Sequence, residues 1–185
     1  MDLQQFIPVT MNFTKQVLAA GTTTTISTTN GGTFAIKGKL YFTNAGSSSG
    51  TAFTNQATPT VDFATGNAFL PIPIPNVSPN LALGYGSVFT IGLDHTTNTL
   101  RVIQGQVSAL DVSGNFITAP QFGALGPAGS GTTDNDFCPI GYLVVKLGAT
   151  AVATWTFGTN NLSSVTGVTY IWVDCATLPD QPQVA

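Results

Sequence analysis

The clearest pattern along the chain is alternation with a period of two. In residues 33–43, Ile36, Leu40 and Phe42 share one face with Gly38, while Lys37, Lys39 and Tyr41 take the other. This predicts a strand with one face in a core and one in water. Residues 87–93 place Phe89, Ile91 and Leu93 together, and 99–110 is a longer alternating run. Asp94-His95-Thr96-Thr97-Asn98 between them reads as a hairpin loop. Late strands are predicted over 140–147 and 168–175, with a further one over 151–157 around Trp155. The β-branched run 22–29 reads as an exposed strand, and Asn30-Gly31-Gly32 after it is a turn signal.

Other stretches do not alternate. Residues 1–20 hold Leu3, Phe6, Ile7, Val9, Met11, Phe13, Val17 and Leu18 without a regular period, and Pro8 interrupts any helix or central strand. An extended N-terminal arm is expected, laid along a neighbouring subunit or on the surface of a larger assembly, where Leu3, Phe6, Ile7 and Phe13 are buried. Residues 44–68 are small, polar and glycine-rich, which predicts a long loop or weakly paired edge. In Phe69-Leu70-Pro71-Ile72-Pro73-Ile74-Pro75, proline stands at every second place and cannot donate to a ladder. Phe69, Leu70, Ile72 and Ile74 are therefore expected on an extended segment that lies on an edge or against a partner. Residues 116–136, with Pro120 and Pro127, read mostly as loop.

About eight short strands separated by Gly, Pro and Asn turns predict an all-β chain, a jelly-roll-like β-sandwich, with an immunoglobulin-like sandwich as the alternative. The organisation expected is an arm over 1–20, a β domain over 21–178 and a tail over 179–185. No internal repeat and no amphipathic helix is visible.

Composition narrows the function classes. Only 7% of the 185 residues are charged and none is Glu, against about a quarter charged in ordinary soluble domains. Helical bundles, coiled coils and charged disordered tails are excluded on that ground. Net charge is −3 and the five basic residues (Lys15, Lys37, Lys39, Arg101, Lys146) are scattered, so no nucleic-acid-binding face is expected. No apolar run approaches the roughly 20 residues of a membrane helix, and Met1-Asp2-Leu3-Gln4-Gln5 has neither a positive nor an apolar leader character. No membrane association or export is expected, and Cys138 and Cys175 are accordingly expected as reduced, inert thiols. Mean hydropathy is nevertheless +0.27. So much apolar side chain with so little charge suggests burial at contacts between subunits, hence an assembly component.

Candidate chemistry is sparse. Gly46-Ser47-Ser48-Ser49-Gly50 matches the nucleophile-elbow pattern, but the residues after Gly50 do not form the helix that pattern requires, so a loop is expected. His95 is the only histidine and lies beside Asp94 in a hairpin tip, where a neighbouring acid cannot orient the ring from across a fold. Asp134-Asn135-Asp136 offers oxygen ligands without the spacing of a calcium loop. No two of the eight Asp residues stand out as a glycosidase pair. Tyr85, Trp155, Tyr170 and Trp172 offer stacking faces for a glycan, with core packing as the competing role. No catalytic residue, metal or cofactor is expected, and the chain is read as a non-enzyme.

The segment Phe137-Cys138-Pro139-Ile140-Gly141-Tyr142-Leu143-Val144-Val145-Lys146 carries a resemblance. With Trp155-Thr156-Phe157-Gly158-Thr159, the link 162–168 and the closing run Val173-Asp174-Cys175-Ala176-Thr177-Leu178-Pro179-Asp180-Gln181-Pro182, it resembles the capsid cement, or decoration, proteins of tailed bacteriophages. The Cys-Pro-Ile-Gly-Tyr portion is the most specific part, and the resemblance spans residues 137–182. It implies a jelly-roll domain made in the host bacterial cytoplasm and carried on the capsid exterior, where it clamps the major capsid protein. The expected self-association is a homodimer, with a homotrimer as alternative. A head or tail fibre domain that binds host-surface glycan is the competing functional reading.

Overall fold

The computed structural model describes residues 10–15, 17–28, 32–36, 39–43, 56–57, 72, 84–94, 99–120, 137–148, 151 and 154–175. Among these the chain is all-β, with eleven strands and no helix. The first strands are β1 (Met11–Asn12), β2 (Leu18–Ala20), β3 (Ile26–Thr28), β4 (Gly32–Ile36), β5 (Lys39–Thr43) and β6 (Gln56–Ala57). They make two three-stranded sheets, β1-β4-β5 and β2-β3-β6. The larger sheet holds β7 (Tyr85–Asp94), β8 (Thr99–Gln104), β9 (Ser108–Ala109), β10 (Phe137–Leu147) and β11 (Val168–Asp174). Its order is β11-β10-β7-β8, with β9 paired to the start of β7. All pairings are antiparallel.

One face of the large sheet carries the core. Phe89 and Ile91 of β7, Val102 of β8 and Leu143, Val145 and Leu147 of β10 are buried there, and Leu18, Ile26, Phe34 and Ile36 from the two small sheets close over them. This is the layering of a β-sandwich, in which alternate residues of facing sheets interlock. The alternation seen in 87–93 and 140–147 is what makes it possible, because a period of two sends every second side chain inward.

The strand β10 contains an irregularity that its sequence explains. Pairing to β7 runs Cys138↔Leu93 and Pro139↔Gly92, then resumes at Gly141↔Ile91, leaving Ile140 as the extra residue of a bulge. Proline lacks the N–H a regular ladder needs, so the bulge falls where Pro139 stands. Gly141 is required for space: a Cβ there would collide with the side chain of Leu18 and the carbonyl of Val173.

Four predicted strands turn out differently. Residues 33–43 are a hairpin of β4 and β5, closed by the pair Ile36↔Lys39. Ile36 is buried while Leu40 is 55% exposed, so the single face expected for both is broken by reversal of the chain. In 22–29 the strand is limited to β3, because residues 22–25 form the turn from β2. Gly21 N–H donates to Thr25 O (2.8 Å), and both the N–H and the hydroxyl of Thr25 bond Thr22 O (3.1 and 2.9 Å). The run 99–110 breaks after Gln104, where Gly105 N–H bonds Val88 O (2.7 Å), and resumes as β9. Around Trp155 the described residues contribute a single bridge to Ile72 in place of a strand.

The arm expected over 1–20 is corrected for its second half, while residues 1–9 lie outside the described residues. Residues 10–20 belong to the domain, since β1 pairs with β4 and β2 pairs with β3. Asn12 Nδ2 donates to Cys175 O (2.6 Å), and Leu18 N–H donates to the carboxylate of Asp174 (2.5 Å), tying both strands to the end of β11. Pro8 precedes β1 and so interrupts nothing in it.

Candidate functional site

Of the residues expected at a capsid or subunit contact, Leu3, Phe6, Ile7, Phe69, Leu70 and Ile74 lie outside the described residues. Phe13 is half-buried, and its N–H donates to Thr33 O (2.9 Å) within the same chain. Ile72 is fully buried; its N–H donates to Trp155 O (2.8 Å) and it accepts from Trp155 N–H (3.3 Å). The contact expected of Ile72 is therefore made to its own core. A proline on each side does not prevent this, because the residue between them keeps its own N–H and C=O.

The aromatic residues weighed as glycan platforms also face inward. Trp155 is fully buried, edge-on to Phe89 (centroids 5.6 Å) and to Phe157 (5.9 Å). Its indole N–H donates to the Tyr170 hydroxyl (2.9 Å), which donates in turn to Asn161 O (2.8 Å). Burial pushes the Tyr170 phenol up from its ordinary value. Tyr85 and Trp172 are half-buried and pack against the same cluster. These contacts match the core-packing role.

The candidate catalytic and cation-binding positions Ser48, His95, Asp134 and Asp136 lie outside the described residues. Both cysteines are free thiols. Cys138 is buried in the core, and desolvation pushes its thiol up to about 12; Cys175 is half-buried and is raised by burial and by the neighbouring Asp174 carboxylate. Such thiols carry little thiolate at neutral pH and are poor nucleophiles.

A surface that the sequence reading missed lies in residues 110–117. Leu110 and Phe116 form a bridge, Asp111 N–H donates to Asn115 O (2.7 Å), and Ile117 N–H donates to Ala109 O (3.0 Å). The Asp111 carboxylate accepts from the N–H groups of Ser113 and Asn115 (2.8 Å each), and these bonds, that to Asn115 foremost, hold its pKa below the ordinary value. Gly114 takes φ +80°, a conformation that disfavours side chains. From β10, Lys146 Nζ donates to Gly114 O (3.0 Å) and stands 5.2 Å from the centre of the Phe116 ring. Phe116 in turn lies against Gly86, where a Cβ would meet its ring at 2.9 Å. The turn is thereby pinned from inside and beneath, and it holds two aliphatic side chains in water: Val112 is 80% exposed and Ile117 is 60% exposed. The sequence signal was Asp-x-Ser-Gly-Asn between apolar residues, a turn with the side-chain cap of an Asx motif.

Asp111, Lys146 and Asp174 each serve to hold backbone. The turn at 110–117 thus presents an apolar tip, Val112 and Ile117, on a backbone that is already held in place. Comparison with protein-family models, with curated proteins and with solved structures finds no match.

Proposed function

We propose that this chain is a non-enzymatic structural protein of a bacteriophage virion, bound to the outside of the capsid and stabilising contacts between major capsid subunits. The observation that carries the reading is the pinned turn with Val112 and Ile117 held in water, on a chain with only 7% charged residues. An exposed aliphatic pair on a rigid support gains by burial in a partner and loses little entropy on docking. The resemblance of residues 137–182 to capsid cement proteins supplies the class of partner. No cofactor, nucleic acid or membrane takes part, and the protein is made in the host cytoplasm before joining the shell.

The test uses undecorated capsids and purified protein. Val112→Asp together with Ile117→Asp places two carboxylates where apolar contact is required. Co-sedimentation with capsids falls at least tenfold, equivalent to about 1.4 kcal/mol, while the circular dichroism spectrum is unchanged. Full binding by the double variant removes the turn from the attachment surface, and absence of wild-type binding to capsids overturns the reading.

A further inference from the structure

Among the described residues, β11 is the outer strand of the large sheet, and one of its backbone edges is open. Cys175 N–H donates to Ile140 O (2.9 Å), so in the alternating antiparallel ladder Thr169, Ile171 and Val173 turn their backbone groups toward β10. Those of Tyr170 and Trp172 point away from it, and they have no hydrogen-bond partner among the described residues. Both ends of the strand are occupied. Val168 N–H bonds Val165 O (3.1 Å), while the Asp174 carboxylate and the Cys175 carbonyl accept from Leu18 and Asn12. The open window is thus 169–173, symmetric about Ile171.

Among the described residues, nothing protects this window. Natural edge strands are blunted with lysine, proline, bulges or a covering element. Val168-Thr169-Tyr170-Ile171-Trp172-Val173-Asp174 has no lysine and no proline, and its pairing to β10 runs through seven residues without a shift. The opposite edge differs: Arg101 lies on β8, and that edge breaks between Gln104 and Ser108. Ile171 is 42% exposed and Thr169 is exposed beside it, on the sheet face away from the core.

We infer that β11 is the seat of a two-fold homodimer in which two copies pair edge to edge, antiparallel, with Ile171 opposite Ile171 of the second copy. In this register Tyr170 stands opposite Trp172 of the second copy, and the open N–H and C=O groups of the four residues form four hydrogen bonds. The occupant is a second copy because the window is its own complement: it has two donors and two acceptors, symmetric about one apolar residue. Charge decides the direction. Asp174 is the only charged residue of the strand, and the antiparallel arrangement sends the two carboxylates to opposite ends, whereas a parallel one sets them side by side. The result is a continuous sheet across both copies, ordered β8-β7-β10-β11 and then its mirror sequence. This pairing rests on the strand itself and stands whether or not the protein binds capsids.

The experiment uses the full chain. Wild-type protein sediments as a dimer at micromolar concentration, and Ile171→Lys, which sets two ammonium groups against each other at the axis, raises the dissociation constant at least tenfold with an unchanged circular dichroism spectrum. Register is read separately by oxidative cross-linking with diamide. Ile171→Cys places two thiols at a non-hydrogen-bonded pair, where Cα atoms lie about 4.5 Å apart, within disulfide reach. It forms a 171–171 linked dimer on peptide mapping. Thr169→Cys, opposite Val173 of the second copy, does not link to itself, and the wild-type chain with Cys138 and Cys175 gives the background. A monomeric wild type, a dimer indifferent to Ile171→Lys, or equal cross-linking at 169 and 171 overturns the assignment. So does a monomer whose β11 amides become protected only when a different protein is added.

Discussion

Changing Tyr170 to Phe removes one oxygen from the molecule and isolates a buried donor. Trp155 is fully buried, and the Tyr170 hydroxyl is the acceptor of its indole N–H at 2.9 Å. No volume is created on the ring itself, so the cost arises from the orphaned N–H and from loss of the bond to Asn161 O. An unsatisfied buried donor costs about 1–3 kcal/mol. At roughly 2–4 °C per kcal/mol for a chain of this size, the melting midpoint falls by about 2–12 °C. Trp155→Phe has its own cost from the smaller ring, but it also removes the donor. In that background Tyr170→Phe therefore costs less, and the double-mutant cycle shows a coupling of about 1 kcal/mol or more. Urea unfolding followed by far-ultraviolet circular dichroism measures this, at one fixed protein concentration because association couples to stability. If Tyr170→Phe lies within about 0.3 kcal/mol of wild type, inside the usual error of additivity, and the cycle is additive, the Trp155–Tyr170–Asn161 chain is not holding this end of the core.

Three further outcomes are expected. Ile72→Ala destabilises the fold by about 2–5 kcal/mol, as expected for a fully buried aliphatic side chain, and urea midpoints measure it; a loss of partner binding at unchanged stability would contradict the inward placement. Stability falls as pH rises above about 9, because the unfolded chain ionises its thiols near the ordinary value of 9.0 while folded Cys138 holds its proton to about 12. Below that range both states are protonated and the contribution is fully present, so Cys138→Ala flattens the alkaline limb of a stability–pH profile, and an unchanged limb assigns it elsewhere. Deleting residues 2–9, which leaves β1 intact, preserves the circular dichroism spectrum and lowers capsid binding at least tenfold, about 1.4 kcal/mol; undiminished binding makes those residues passive.

The sequence made some parts of this fold legible and hid others for physical reasons. The core strands of the large sheet were plain because Phe89, Ile91, Leu143 and Val145 keep a strict alternation over a buried face. The β4–β5 hairpin was hidden because Ile36 and Leu40 preserve the period across a two-residue connection, so alternation alone does not reveal that the chain reverses. Residues 10–20 read as an arm because β1 and β2 are two and three residues long, too short to show a period. Their place is fixed instead by Asn12 and Leu18, which bond the far end of the chain. Ile72 is the converse case: local proline chemistry suggested exposure, and a long-range bridge to Trp155 decided otherwise. The turn at 110–117 was overlooked because its stiffness comes from Lys146, 32 residues from Gly114 in sequence.

The central claim, attachment to a capsid exterior, is tested most directly by cryo-electron microscopy of the intact particle with and without this protein. The account predicts regular density on every capsid facet at junctions between capsid subunits, with the turn at 110–117 against the shell, and that density missing from particles lacking the protein. Copies confined to the tail or a single vertex, or particles without any density for the chain, would contradict it.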